Sequence, residues 1–150
     1  MANTTVGQRR HHSKRGDTDT TYPYFDVDLG DNIAGTQYDA ATANWGAPWK
    51  MPTIEQIQEL LEICTYTWTT QNGVNGGKVT GRNGGVIFLP ASGLRDSSSG
   101  TLYIVGFYGY YWSASPNNSY DGHGLGFSSS YWDWNSNNRA SVFPVRAVAE

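Results

Sequence analysis

The sequence predicts an α+β domain in which helices come first and short strands follow. Three observations lead there. Only one stretch, Ile54 to Cys64, carries a sustained helical repeat of apolar residues. After Cys64 the chain breaks into short runs of β-branched and aromatic residues punctuated by Asn-Gly and Gly-Gly pairs. The composition agrees, with 14% aromatic residues, 18 Gly and only 15% charged residues, against about 25% charged in an ordinary domain. That balance excludes a disordered chain and a coiled coil. A length of 150 residues fits one domain able to bury a core.

The elements can be justified in order. Residues 1–16 read as a basic tail, with Arg9, Arg10, Lys14 and Arg15 and no acid. Tyr22–Leu29 alternates in part and predicts an early strand, followed by turns from Gly30 to Gly35. Thr36–Asn44 is Ala-rich and predicts a short helix stopped by Gly46 and Pro48. The main helix is expected over Thr53–Ile63: Thr53 with Gln56 forms a capping box, and Ile54, Ile57, Leu60, Leu61 and Cys64 make one stripe. Strands are expected at Tyr66–Thr69, Lys78–Thr80, Val86–Leu89, Tyr108–Ser115, Leu125–Phe127 and Val142–Val148. Gln71-Asn72-Gly73, Asn75-Gly76-Gly77 and Asn83-Gly84-Gly85 are the expected turns.

Charge and chemistry-bearing residues narrow the function. Residues 17–150 hold 6 basic and 13 acidic residues, a poor balance for gripping phosphate, so no nucleic-acid partner is expected. The tail can serve assembly or attachment. With one cysteine, Cys64, no intrachain disulfide exists, and its place on the apolar stripe predicts packing. No apolar leader marks the N-terminus, and no run of about 18 apolar residues predicts a membrane span. Motifs for hydrolases, zinc proteases, phosphate-binding loops and paired Cys sites do not occur. His123 stands between two glycines, and Asp121 and Asp133 are isolated carboxylates. The chain is therefore expected not to be an enzyme, and neither a metal nor a cofactor is expected.

One window stands out. Tyr103–Asn138 holds 11 aromatics, 7 Ser, 5 Asn and 5 Gly, with Asp121 and Asp133 as its only charges. Rigid amphipathic rings among small polar residues are the chemistry of adaptable binding surfaces. Tyr111, Trp112 and Phe127 fit a sheet core. Tyr120 and the run Tyr131–Asn138 do not, because half of that run would need buried polar partners.

Several motifs stand in one order: WGAPWKMPT (45–53), WTTQNGVNG (68–76), IFLPASG (87–93), GYYWSAS (109–115) and FPVRAV (143–148). Residues 30–150 thereby resemble bacterial C-type-lectin-like domains of the Fibrobacter major paralogous type. They are similar also to the variable proteins of diversity-generating retroelements. The resemblance implies a C-type lectin-like fold over residues 17–150, with two helices and small mixed or antiparallel sheets. It implies a variable region at about 117–142, rewritten at adenines of Asn codons. Such rewriting cannot produce Lys, Gln, Glu, Met or Trp. Residues 117–142 contain none of the first four, and their two Trp residues alternate with Tyr131, Asp133 and Asn135.

The expected diversified positions are Tyr120, Asp121, His123, Leu125, Ser128, Ser130, Tyr131, Asp133, Ser136, Ala140, Ser141 and Val142. Tyr120, Tyr131, Trp132 and Trp134 are the expected apolar anchors, and Asp121, His123, Asp133, Asn135 and Asn137 the polar determinants. Calcium-dependent sugar binding is not expected, since Pro116-Asn117-Asn118 and Trp134-Asn135-Ser136 lack the acidic partners of such sites. The reading is a ligand-display or receptor-binding protein of a phage or bacterium, on a virion or cell surface, whose partner is a protein or glycan. Homo-oligomeric display would add avidity. A fixed carbohydrate-binding or adhesion module and a virion structural domain are the alternatives.

Overall fold

The computed structural model describes residues 29–96 and 99–149, and the backbone of residues 5–6. The basic tail 1–16 otherwise lies outside the described residues, as does the strand expected over Tyr22–Leu29 up to Asp28. The architecture is α+β: two helices and small sheets, nearly all antiparallel. No helix among the described residues is long and apolar enough to cross a membrane.

β1 (Thr5–Val6) pairs with the segment Phe143–Pro144. α1 (Ala40–Trp45) is shorter than the sequence predicts because Asp39 caps it, its carboxylate accepting from the Ala41 and Thr42 amides. Asp39 is fully buried and also accepts from the Gly35 and Met51 amides and the Thr42 hydroxyl. Burial pushes its pKa up, and these hydrogen bonds more than offset that, so the carboxyl lies below its ordinary value. β2 (Trp49–Lys50) follows. α2 (Ile54–Ile63) has the expected capping box between Thr53 and Gln56. Cys64 lies just past its end, in extended backbone rather than on the helix, and packs against the core.

β3 (Thr65–Gln71), β4 (Val74–Thr80) and β5 (Val86–Pro90) form one antiparallel sheet in the order β3-β4-β5. Asn72-Gly73 makes the expected hairpin turn, both residues at positive φ. Asn75-Gly76-Gly77, expected as a turn, is instead the interior of β4. The glycines are there for close packing: a Cβ on Gly77 would stand 2.5 Å from the Tyr66 ring, and one on Gly76 would run into the Leu89 carbonyl. β6 (Leu94–Arg95) pairs with β7 (Leu102–Tyr103).

β8 (Gly109–Pro116), β9 (Asp121–Phe127) and β10 (Trp132–Asn138) form the second three-stranded sheet, in the order β10-β9-β8. Tyr131–Asn138 is thus mainly a strand, and both Asp121 and Asp133 sit in strands rather than in loops. β11 (Phe143–Pro144) pairs with β1, and β12 (Val148–Ala149) pairs with β2.

Two apolar clusters lie on opposite sides of the second sheet. One gathers Ile57 of α2, Val79, Leu89, Tyr111, Leu125 and Phe127, with Ile54, Leu60, Leu61, Cys64, Trp68 and Ile87 packed around it. The other gathers Ala41, Met51, Trp112, Ala114 and Phe143. Tyr111, Trp112 and Phe127 are therefore core, as the strand pattern predicts. Trp45 and Trp49 are both more than two-fifths exposed.

Candidate ligand-binding face

Strand alternation divides β9 and β10 sharply. On β9, Phe127 and Leu125 point toward α2, and the opposite side carries only Gly122, Gly124 and Gly126. Trp132 pairs with Phe127, and Trp134 with Leu125, so both tryptophans share the α2 side. Trp132 stacks on Tyr66 with ring centroids 4.5 Å apart and planes 13° from parallel. Its indole nitrogen is buried without a partner. The expected role of Trp132 as a displayed anchor is corrected: its ring packs onto the core. The Tyr66 hydroxyl donates to the Ser128 carbonyl at 2.6 Å, and burial pushes its pKa up to about 12.

The opposite side carries the other half of the β10 side chains, with Tyr131 and Asp133 exposed and Asn135 and Asn137 half-buried. Tyr131, Asp133, Asn135 and Asn137 alternate onto it from β10, beside Tyr110 of β8. The β9 glycines are its floor. A Cβ on Gly126 would stand 2.9 Å from Asn135 Nδ2, 3.1 Å from the Tyr131 ring and 3.6 Å from the Tyr110 ring. Those three side chains therefore converge over Gly126. Asn137 Nδ2 donates to Asn135 Oδ1 and fixes the amide row. Tyr110 stacks between Tyr108 and Phe143, at 6.2 and 4.9 Å. Burial, with the nearby Tyr108 and Tyr131 hydroxyls, raises the Tyr110 pKa, so the ring presents a neutral hydroxyl. Tyr131 is 38% exposed and Asp133 is exposed.

The other expected contact residues are spread differently. Tyr120 is 64% exposed on the turn between β8 and β9. Asn118 Oδ1 accepts from the Tyr120 and Asp121 amides at 2.7 and 2.8 Å and shapes that turn. Arg139 Nη1 donates to the Asn118 and Ser119 carbonyls at 3.4 and 3.1 Å and ties the turn down from behind. Trp134, 39% exposed, meets His123 edge-on at 5.3 Å on the α2 side of the sheet. Ser136 is exposed and accepts from Asn117 Nδ2. Ser130 is exposed in the β9–β10 turn, and Ser141 is half-buried.

Leu125, Ser128 and Ala140 are buried, which corrects their assignment as contact positions, and Val142, expected to be diversified, is buried as well. Leu125 belongs to the core cluster. Ser128 closes the β9–β10 turn, its amide donating to the Tyr131 carbonyl and its hydroxyl accepting from the Ser130 amide. Ala140 follows β10, its amide bound by Asn138 Oδ1. A cleft of about 420 Å³, counting its open mouth, lies beside Met51, Trp112, Ser115 and Arg139, and none of the expected contact residues lines it. Among the described residues, no three His, Cys, Asp or Glu side chains group as a metal-binding set.

Sequence reasoning missed Tyr108 and Tyr110 as parts of the face, because β8 reads as a continuous buried run. It also missed the buried Asp39. The signal for the first was available: Gly122, Gly124 and Gly126 alternate, and a strand bare on one side leaves its neighbours' side chains exposed.

No curated protein and no solved structure matches the chain. A family model does match, over residues 49–148, a span that includes α2, every strand from β3 to β11 and the whole face. The chain belongs to the family described as a domain of unknown function (DUF8237).

Proposed function

We propose that this protein displays a ligand-binding face whose side chains are exchanged while the scaffold is kept, as in the variable proteins of diversity-generating retroelements. The observation that carries the proposal is the alternation on β10. Tyr131, Asp133 and Asn135, the positions that Asn-codon rewriting would reach, share the glycine side of β9 with Asn137. Trp132, which such rewriting cannot produce, packs its ring against Tyr66. A strand built this way lets its outward residues change without touching the core.

In this reading Tyr108, Tyr110 and Tyr131 supply apolar area, and Asp133, Asn135 and Asn137 supply directional hydrogen bonds. Tyr120 adds an exposed ring at the far turn. The domain is then of C-type lectin type, placed on a virion or cell surface and binding a protein or glycan there without a metal or cofactor and without catalysis. The α+β arrangement and the ordered sequence motifs support that assignment.

A display library randomised at Tyr131, Asp133, Asn135 and Asn137 tests it. Most members are expected to resist protease as the parent does, and selection is expected to yield binders to unrelated target proteins. A library that is mostly unfolded would overturn the reading. So would a gene with no adenine-substituted repeat of its 3′ end nearby, as far as the diversification is concerned.

A further inference from the structure

Leu102–Tyr108 holds six large side chains at the surface. Leu102, Tyr103, Ile104, Val105, Phe107 and Tyr108 are all exposed, Phe107 to 70%. No charged residue stands between Asp96 and Asp121. The hydrophobic effect alone would fold such a run inward, but its backbone is held in place. The Gly106 amide donates to the Ala91 carbonyl at 2.7 Å, and Asn75 Nδ2 donates to the Gly106 carbonyl at 3.1 Å. The Phe107 and Tyr108 amides both donate to the Ile104 carbonyl, at 3.1 and 3.2 Å. Ile104 sits at φ +52°, a conformation that a β-branched residue rarely takes. The strained turn faces these side chains outward.

The patch is large. At roughly 150–250 Å² per large side chain and about half exposed, the five of Leu102–Phe107 present on the order of 500 Å². That is at the upper end for a monomer and near the ~800 Å² per partner of a stable interface.

We propose that Leu102–Phe107 is the contact through which two copies of this chain associate about a twofold axis. A twofold places the same apolar patch on both sides of the contact. The body of each copy, residues 17–150, has 6 basic and 13 acidic residues. The whole chain is net negative at −3, and an uncharged patch is where two like-charged copies meet with the least repulsion. A glycan or nucleic acid would need hydrogen-bonding or cationic side chains that Leu102, Ile104, Val105 and Phe107 do not offer. The inference does not depend on the proposed binding function.

Light scattering on the full chain after size exclusion, across a dilution series, tests this. The expected mass at high concentration is twice 16.5 kDa. Val105→Lys with Phe107→Lys is expected to weaken association by at least about tenfold, as loss of a central apolar anchor does, with an unchanged melting temperature. Phe107→Ser alone is the milder variant should the double variant misfold, and it is expected to shift the same equilibrium. A chain that stays at 16.5 kDa at every concentration overturns the proposal. An oligomer that survives both variants in folded form also overturns it. So does co-sedimentation of a monomeric chain with phosphatidylcholine vesicles, which would make the patch a lipid contact.

Discussion

Truncating two neighbouring aromatics on β10 should have unequal costs, and the inequality tests the alternation on which the binding face rests. Trp132 stacks on Tyr66 at 4.5 Å and meets Phe127 edge-on at 6.1 Å. Full truncation of a buried Trp costs about 3–5 kcal/mol. Trp132 is half-buried, so about 2–3 kcal/mol is expected for Trp132→Ala, including the lost stack of about 0.5–1.5 kcal/mol. Tyr131 is 38% exposed and touches the face rather than the core, so Tyr131→Ala should cost about 1 kcal/mol or less. At roughly 2–4 °C per kcal/mol for a chain of this size, Trp132→Ala lowers Tm by about 5–10 °C and Tyr131→Ala by about 2–4 °C. Urea unfolding followed by circular dichroism gives the free energies directly. Equal losses, or a larger loss at Tyr131, would refute the assignment of the two side chains to opposite sides of the sheet.

Asp39→Asn should cost about 2–3 kcal/mol, since the buried carboxylate serves several amides at once and charged hydrogen bonds are the stronger kind. Because the folded pKa of Asp39 lies below its ordinary 3.8, the charged form stabilises the fold above that value. That contribution is lost as pH falls through the folded pKa, and acid titration of the Asn variant should lack this component. Arg139→Ala should cost about 1–3 kcal/mol by freeing the Asn118 and Ser119 carbonyls. Hydrogen exchange should then quicken at the Asn117 and Asn118 amides, which donate to the Asp121 carbonyl. Gly77→Ala should cost about 1–3 kcal/mol by overpacking against the Tyr66 ring, read as a lowered urea midpoint. Gly126→Val should leave Tm within a few degrees but abolish binding of ligands selected on the randomised face, because its neighbours there are side-chain ends.

The helices were legible because their signals are local. The Thr53–Gln56 capping box and the stripe from Ile54 to Leu61 need no tertiary partner to be read, and α2 begins and ends where they predict. α1 starts at Ala40 because Asp39 caps it through the Ala41 and Thr42 amides, and the Met51 amide that also holds this carboxylate comes from twelve residues away, beyond the reach of a local pattern. Gly76 and Gly77 misled for the same kind of reason. Glycine pairs mark turns when only neighbours in sequence are considered, and the Tyr66 ring and the Leu89 carbonyl that require them come from other strands. The run Tyr131–Asn138 was recognised as a surface, but its strand character was hidden by Asn and Ser, which have low β propensity. Without the register, Trp132 and Tyr131 looked alike.

The glycines of β9 explain how the second sheet seats core from β8 and varied side chains from β10 on the same side. A central strand normally carries side chains on both sides, and those facing the surface constrain their neighbours through cross-strand contacts. Here Gly122, Gly124 and Gly126 remove that layer, while Leu125 and Phe127 hold the other side in the core. Tyr131 and Asn135 then lie over Gly126 beside Tyr110, while Trp112 covers Gly122 and Gly124, so of these neighbours the β10 side chains are the ones that can be exchanged without removing a residue of either core cluster. Leu125 shows the limit of this freedom: it lies inside a stretch read as variable, yet it packs with Ile57 and Val79. A polar residue there would be buried without a partner. Variation that the fold tolerates must therefore follow the two-residue period of the strand and not its length.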